Sequence, residues 1–483
     1  MQDDWKVSRS LTLNLGLRWE TDTPITDKDS RLNSFDPRAI NPVSGTPGVV
    51  RFAGVNGWPE QPYPTDWNNL GPRLGFAWRP GNQERWVLRG GYGVFYEHPF
   101  LHGAPNTASL GFEKSAALSS PDNGVTPAFY LGQGVPGVTL GGATRDDSFG
   151  AVRVGQAVTT NVTYYEQNRR TGYAHQFSMG VQRQLPGNTV LEVSYMGNLG
   201  RKLPISNLNS NQAPPQLMAS GNAQVRRPFP QFNNVTINFP TMGVNNYHAG
   251  VLRVEKRLSH GLNLLGTYTW ARSIGNVDEN AGFGDDQIYQ DYYNRRLDKG
   301  PSTIDIVQRF VWSSVYDVPI GRGRRWLQKG PASSIMGGWT VGSIVTMQSG
   351  GPFTVTMQTN TTNAFSAGNL RANLLRDPNL PPDQRRIERW FDTEAFQAPP
   401  QFAFGNAGRG ILRADGRVAF DFSINKNFTF GEKRYVQFRT ELFNAINHPD
   451  FNPPAHVMGA AGFGSVTAAT DSRTVQFGLR VVF

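Results

Sequence analysis

The chain contains no cysteine, so neither a disulfide framework nor a thiolate metal site is open to it. No run of about 18 apolar residues occurs, which excludes a membrane-spanning helix. The opening MQDDWKVSRS lacks the basic and apolar regions of a secretory leader, so the chain as given either stays in the cytosol or lacks its own N-terminal part. No long basic run occurs; the formal charge of +10, from 47 Lys and Arg against 37 Asp and Glu, is spread along the chain and does not point to nucleic acid. Helical spacing is almost absent.

What is present is length, turns and aromatic residues. A single core usually stops growing at roughly 250 to 300 residues. A chain of 483 therefore has internal boundaries or an architecture that needs no central core. With 53 glycines, 33 prolines and 12% aromatics it is folded and rich in turns.

The apolar residues recur with period two, the mark of strands. LTLNLGLRWE puts Leu11, Leu13, Leu15, Leu17 and Trp19 on one face, and RWVLRGGYGVFYE does the same with Trp86, Leu88, Tyr92, Val94 and Tyr96. The pattern returns at Tyr173 to Val181, Leu262 to Trp270, Phe310 to Val318, Trp339 to Met347, Val418 to Ile424 and Val436 to Leu442. It closes the chain in TVQFGLRVVF, where Val475, Phe477, Leu479 and Val481 alternate with Gln476, Gly478 and Arg480 before Phe483. The opposite face carries Arg18, Glu20, Arg73, Arg89, Arg253, Glu255, Arg309, Asp421, Arg439, Glu441 and Arg480. In a soluble sheet the apolar face is buried; in a transmembrane barrel it meets lipid and the charged face lines the lumen. Alternation alone does not choose.

Connection length does. Long stretches (Thr21 to Asn69, His98 to Arg170, Arg201 to Asn245, Gly275 to Thr303, Gln358 to Gly416, His448 to Ser472) alternate with short ones (PGNQE, PGN, SHG, FGEKRY), the basic stretch Ile320 to Ile335 being intermediate. Soluble β domains have no reason to gather every long loop at one end, whereas outer-membrane barrels have short periplasmic turns and long extracellular loops. Trp19, Trp78, Trp86, Tyr96, Trp270 and Trp339 fall at strand ends, as interfacial girdles do. The expectation is an all-β, antiparallel transmembrane barrel region of about twelve strands.

The wording of DDWKVSRSLTLNLGLRWE, NNLGPRLGFAWRP, WVLRGGYGVFYE, LRVEKRLSHGLNLLGTYTWARS, GGWTVGSIVTMQSGGPFTV, FGNAGRGILRADGRVAFDFSINKNF and VQFRTELFNAINHPDF resembles the C-terminal barrel of TonB-dependent transporters of the Oar-like subgroup, over nearly all of residues 1–483. The resemblance implies a 22-stranded barrel, of which the chain holds the C-terminal part. It also implies a leader and a TonB-contacting plug domain that are not in this sequence, and hence a fragment or a truncated gene product. It implies an outer-membrane location in a Gram-negative bacterium, contact with membrane lipid, uptake of an unidentified solute, and no enzymatic or cofactor chemistry. The final strand resembles the signal read by the barrel-assembly machinery, carried by Phe477, Leu479, Val481 and Phe483. The expected lumen charges are Arg89, Arg253, Glu255, Arg309, Arg439, Glu441 and Arg480; their arginines would hold plug or solute, or, more plainly, Arg439, Glu441, Arg253 and Glu255 only pair across neighbouring strands.

Other candidates are weak. VDENAGFGDDQ (Val277 to Gln287) has four carboxylates without calcium-loop spacing and is expected as a solvated loop. His98, His102, His175, His248, His260, His448 and His456 never fall at metal-ligand spacing. GRGRR (Gly321 to Arg325) suits either anionic lipid or a solvated turn. GGYG and GNAGRG open no helix, against a phosphate cradle. Two other readings fit the pattern: a surface-interaction or adhesion barrel without transport, and a soluble β-propeller or lectin-like domain.

Overall fold

The computed structural model describes residues 2–82, 85–97, 110–112, 118–120, 122, 125–134, 144–205, 207–277, 289–364, 370–430, 434–470 and 472–483. One antiparallel meander dominates it, each strand paired with the next along the path. The strands are β1 (Gln2–Lys6), β2 (Leu11–Glu20), β3 (Asn69–Trp78), β4 (Trp86–Tyr96), β5 (Tyr173–Leu185), β6 (Thr189–Leu203) and β7 (Gly243–Ser259). They continue as β8 (Leu262–Gly275), β9 (Gln308–Asp317), β10 (Trp339–Gln348), β11 (Arg417–Thr429), β12 (Tyr435–Phe443) and β13 (Thr474–Val482). The sheet has two edges, β1 and β13, which do not pair with each other among the described residues.

Turn chemistry explains the tight end. Ser259 and Leu262 pair across His260 and Gly261, both at positive φ (52° and 77°), the two-residue hairpin whose twist matches the strands. Leu185 and Thr189 are joined through Pro186, Gly187 and Asn188, the last two again at positive φ. The connection from β9 to β10 is longer and contains one short helix, α1 (Pro331–Met336). Every connection of the other end is long.

One strand ends earlier than its sequence suggests. The sequence places the start of the long connection only at Gln358, but β10 stops at Gln348. At Gly350 the chain lies against the Ala414 carbonyl, where a Cβ would come within 1.9 Å of the oxygen. Pro352–Phe353 and Thr356–Met357 then pair with loop segments, Leu412–Arg413 and Val457–Met458. The glycine pair thus turns the apolar alternation out of the sheet.

The core lies in the loops. Of the buried apolar residues, only Val94, Ala249 and Ala271 belong to the thirteen strands, among the described residues. The long connections instead build three clusters. One gathers Phe35, Val50, Phe52, Val162, Tyr164, Phe229, Phe232, Val235 and Ile237 from the connections 21–68, 97–172 and 204–242. A second joins Phe353, Val355, Trp390, Phe391, Phe396 and Leu412 of the connection 349–416 to Val466 of 444–473. A third, Ile205, Leu208, Val277 and Tyr289, lies between the 204–242 and 276–307 connections. Small sheets staple the layer, including a parallel pair of Val235–Ile237 with Val162–Tyr164. Burying one such side chain contributes about 1.5 to 3 kcal/mol, so the layer has the means to hold its own shape.

Candidate functional site

Register sorts the two faces of the sheet. Leu15 stands opposite Leu74, Leu74 opposite Tyr92, and Tyr92 opposite Phe177. At the far end Phe438 stands opposite Leu479, and its ring stacks on Phe477 at 6.1 Å. Phe477, Leu479, Val481 and Phe483 are all exposed on or at the end of this apolar face. Trp19, Tyr96 and Trp270 mark the rim beside the long connections; Trp78, Trp86 and Trp339 mark the rim beside the short turns. Ser314 and Ser343 also fall on this face, where their hydroxyls bond each other at 2.8 Å and so need no water.

The other face receives all seven predicted lumen charges. Glu192 stands opposite Arg253, Thr269 opposite Arg309, Arg89 opposite Gly180, Asn425 opposite Arg439, Glu441 opposite Gln476, and Gln437 opposite Arg480. Their pairing differs from the cross-strand expectation. Arg253 bonds Glu255 on its own strand at 2.8 Å and approaches Glu192 across strands at 3.8 Å, while Glu255 also takes Arg257 at 3.3 Å. Arg89, Arg309, Arg439, Glu441 and Arg480 form no ion pair among the described residues. Glycines and short polar residues stand opposite most of them across the strands. The alternation also lapses here: Leu265, Val315 and Ile344 are exposed on the charged face.

Above the sheet, the loop layer is locked by buried charge. Asp298 and Arg371, from the connections 276–307 and 349–416, form an ion pair with both side chains out of solvent. Arg371 also donates to the Leu297 carbonyl at 2.9 Å, and its backbone N–H to Gln290, whose amide donates to the Gly405 carbonyl at 2.9 Å. Burial pushes the Asp298 carboxyl up to about 7 against the pull of Arg371, and pushes the Arg371 guanidinium down. Asp305 is a second node: wholly buried, it pairs with Arg413 and with Arg272 at 3.2 Å, and accepts the Ser273 N–H. Gln212 donates to Asp291 at 2.8 Å and ties 204–242 to 276–307. Arg227, pushed down to about 10 by burial, donates to the Asn211 carbonyl.

A cavity of about 580 Å³ opens where the 276–307 connection leaves the sheet, lined by Met242, Asn276, Tyr293, Arg295, Arg296 and Lys299 among others. Two guanidiniums, an ammonium, a phenol and an amide around one space suit an anionic group. Sequence reasoning passed over this place, although QDYYNRRLDKG concentrates aromatic and basic residues in one loop. Of VDENAGFGDDQ, residues 278–287 lie outside the described residues, as do His98 and His102. His175 and His248 each accept or donate at Nδ1 to a tyrosine hydroxyl, Tyr92 at 2.8 Å and Tyr195 at 2.7 Å, on the apolar face.

A family model described as an outer membrane beta barrel domain matches residues 1–476. No curated protein matches the sequence. The fold is similar to that of the outer membrane transporter YddB from Escherichia coli, at 11% identity and a TM-score of 0.45, over 98% of this chain and 43% of that one. It is similar to the siderophore receptor PiuA from Acinetobacter baumannii at 10% identity and 0.43, over 100% and 42%. The FrpB iron transporter from Neisseria meningitidis gives 10% and 0.43, over 99% and 43%. The chain spans less than half the length of each of these structures.

Proposed function

The chain belongs to the outer membrane β-barrel domain family, and from that premise we propose that it forms the C-terminal part of a TonB-dependent transporter of the Oar-like kind, for uptake of a solute. Its place is the outer membrane of a Gram-negative bacterium. The observation that carries the transport reading is the loop layer: six long connections at one end fold into interlocked cores and buried ion pairs above a charged sheet face. An anchor needs no such layer; a capture surface that must keep its geometry does.

The remaining parts fit that role. Arg89, Arg309, Arg439 and Arg480 are cations of the lumen face available to a plug or an anionic solute. Free strand edges in lipid cost several kcal/mol per unsatisfied group, which supports closure of β1 and β13 by further strands in a wider barrel. The barrel-assembly machinery reads the β13 terminus through Phe477, Leu479, Val481 and Phe483. The protein acts by passage and not by catalysis, and TonB acts on it through a plug domain outside this sequence.

The test uses cells carrying the full reading frame, with and without a working TonB system, and follows depletion of solutes from the medium by mass spectrometry. A solute that disappears only when both are present is the expected result. Equal depletion in TonB-deficient cells overturns the transport reading. Surface binding without depletion replaces it with the adhesion barrel.

A further inference from the structure

The connection from β9 to β10, residues 318–338, is by far the longest at the tight-turn end, and it is folded. The Gly321 N–H donates to the Trp326 carbonyl at 2.9 Å and the Trp326 N–H to the Pro319 carbonyl at 3.0 Å. Gly321, at φ 107°, lies so close to Gly337 that a Cβ on Gly337 would stand 2.6 Å from the Gly321 Cα. Neither position admits a side chain.

A lysine, together with the Trp339 indole that donates to the Ile335 carbonyl at 3.2 Å, holds it against the sheet. Lys426 of β11 stands opposite Trp339 on the apolar, outward face, where a bare ammonium would be costly in lipid. Only 2% of it is exposed. Its Nζ donates to the carbonyls of Ser334 at 2.8 Å, Ile335 at 3.0 Å and Gly337, at the C-terminal end of α1. The rings of Trp339 and Phe428 flank it at 5.3 and 5.1 Å. The connection therefore folds back over the outside of the sheet rather than into its lumen.

The solvent side of this element is of two kinds. Trp326, Leu327, Ile335 and Met336 are exposed. Beside them stand Arg322, Arg324, Arg325 and Lys329, with no carboxylate anywhere in 318–338. Asp317, just before it, pairs with Arg324 at 3.2 Å. Arg322, Arg325 and Lys329 have no ion-pair partner among the described residues. Apolar side chains among unpaired cations, continuous with a lipid-facing belt, are the composition of an interfacial element.

We propose that residues 318–338 form a membrane anchor on the periplasmic leaflet, seating Trp326, Leu327, Ile335 and Met336 at the headgroup boundary and holding anionic phospholipid through Arg322, Arg325 and Lys329. The occupant is lipid because the surface continues the outward apolar face, and anionic because three of its cations lack a protein partner. Each cation near an anionic surface adds about 1 kcal/mol, a factor of about five in partitioning.

The absence of cysteine makes the test clean. A nitroxide is attached to Leu327→Cys, or to Arg9→Cys in the four-residue turn between β1 and β2 as reference. The protein expressed from the full reading frame, in which β1 and β13 have their partners, is folded into vesicles of phosphatidylcholine alone or of its equimolar mixture with phosphatidylglycerol. The label at 327 is expected to be shielded from a water-soluble nickel complex while the label at 9 is not, and phosphatidylglycerol is expected to deepen the shielding. Arg322→Gln, Arg325→Gln and Lys329→Gln together should abolish that lipid-dependent part, about fivefold for each charge, while heat-modifiable migration verifies that the variant is folded. Raised salt on the unsubstituted turn should do the same without any charge variant. Equal accessibility at 327 and 9 in both vesicles overturns the anchor. Shielding indifferent to phosphatidylglycerol and salt overturns the anionic recognition. Spin–spin broadening at 327 shows a second copy in place of lipid and also overturns the proposal.

Discussion

Asp298 and Arg371 meet as an ion pair although 73 positions separate them, and neither has more than 2% of its side chain in solvent. The pair joins the connection that follows β8 to the connection that follows β10. Removing one member of a buried pair costs about 3 to 5 kcal/mol, because the other charge is left without compensation. Arg371→Met is therefore expected to open the junction of the 276–307 and 349–416 connections while the sheet stays intact. In the protein from the full reading frame, limited proteolysis should cut within these connections in the variant and not in the parent, with heat-modifiable gel migration unchanged in both.

The same pair gives the layer a pH dependence of definite sign. The Asp298 carboxyl rises from 3.8 to about 7 because burial disfavours its charged form. The folded layer thus binds that proton more tightly than the unfolded chain does. Its contribution is fully present below the ordinary carboxylate range and is lost as pH rises through about 7. Amide exchange at 289–301 and 370–374, corrected for intrinsic rate, should accelerate across that window and level off above it. Asp298→Asn keeps an acceptor for Arg371 and removes the titration, so its profile should be flat. A parent profile that gained protection over the window would contradict the assignment.

Neighbouring positions on β13 test the two faces against each other. Phe477 is 67% exposed on the apolar side, near the middle of its strand. Gln476 stands opposite Glu441 on the charged side. An arginine on a lipid face near mid-membrane costs about 2 to 4 kcal/mol, and nearer the interfaces far less. Phe477→Arg is expected to shift urea unfolding of the vesicle-bound protein from the full reading frame by that amount, whereas Gln476→Arg should be near neutral. Similar costs at both positions would mean that the faces are assigned wrongly.

The strands and their faces were legible because a sheet in a membrane is chemically two-sided. A lipid-facing row must be apolar and the row behind it need not be, so Leu11 to Trp19 and Val475 to Val481 announce themselves. The rhythm of connections gave the direction, since turns such as Pro186 to Asn188 have a local chemistry of their own. The loop layer carries no such mark. Phe35 packs edge-on to Phe229 at 4.9 Å, and neither flanking segment has a period that foretells the other. The pairing of Arg253 with Glu255 along one strand, instead of across two, depends on rotamers that register does not fix. Lys426 lies between these cases. In RVAFDFSINKNF it continues the apolar parity of Val418 to Ile424, so the sequence showed a lysine where lipid was expected; what it could not show was that α1, some 90 positions earlier, covers it.

That lysine yields the last test. Three carbonyls of the α1 end turn toward the Lys426 Nζ, and the ordinary helix-end partner for such groups is water. Lys426→Met keeps the length and apolar stem of the side chain, so the packing between Trp339 and Phe428 is largely preserved, while every donated bond is lost. Hydrogen bonds from a charged donor contribute about 1.5 to 3 kcal/mol, and the loss falls on a short helix whose end is otherwise held by the Trp339 indole, which donates to the Ile335 carbonyl at 3.2 Å, and by the Gly321 to Gly337 contact. Exchange protection at 331–338 is expected to fall by one to two orders of magnitude, about what 1.5 to 3 kcal/mol allows, with protection of β10 and β11 unchanged. Lys426→Arg, with a longer reach and a planar head, should restore only part of it. If Lys426→Met leaves 331–338 as protected as before, α1 is held by the Gly321 to Gly337 contact and the lysine is only shielded by it.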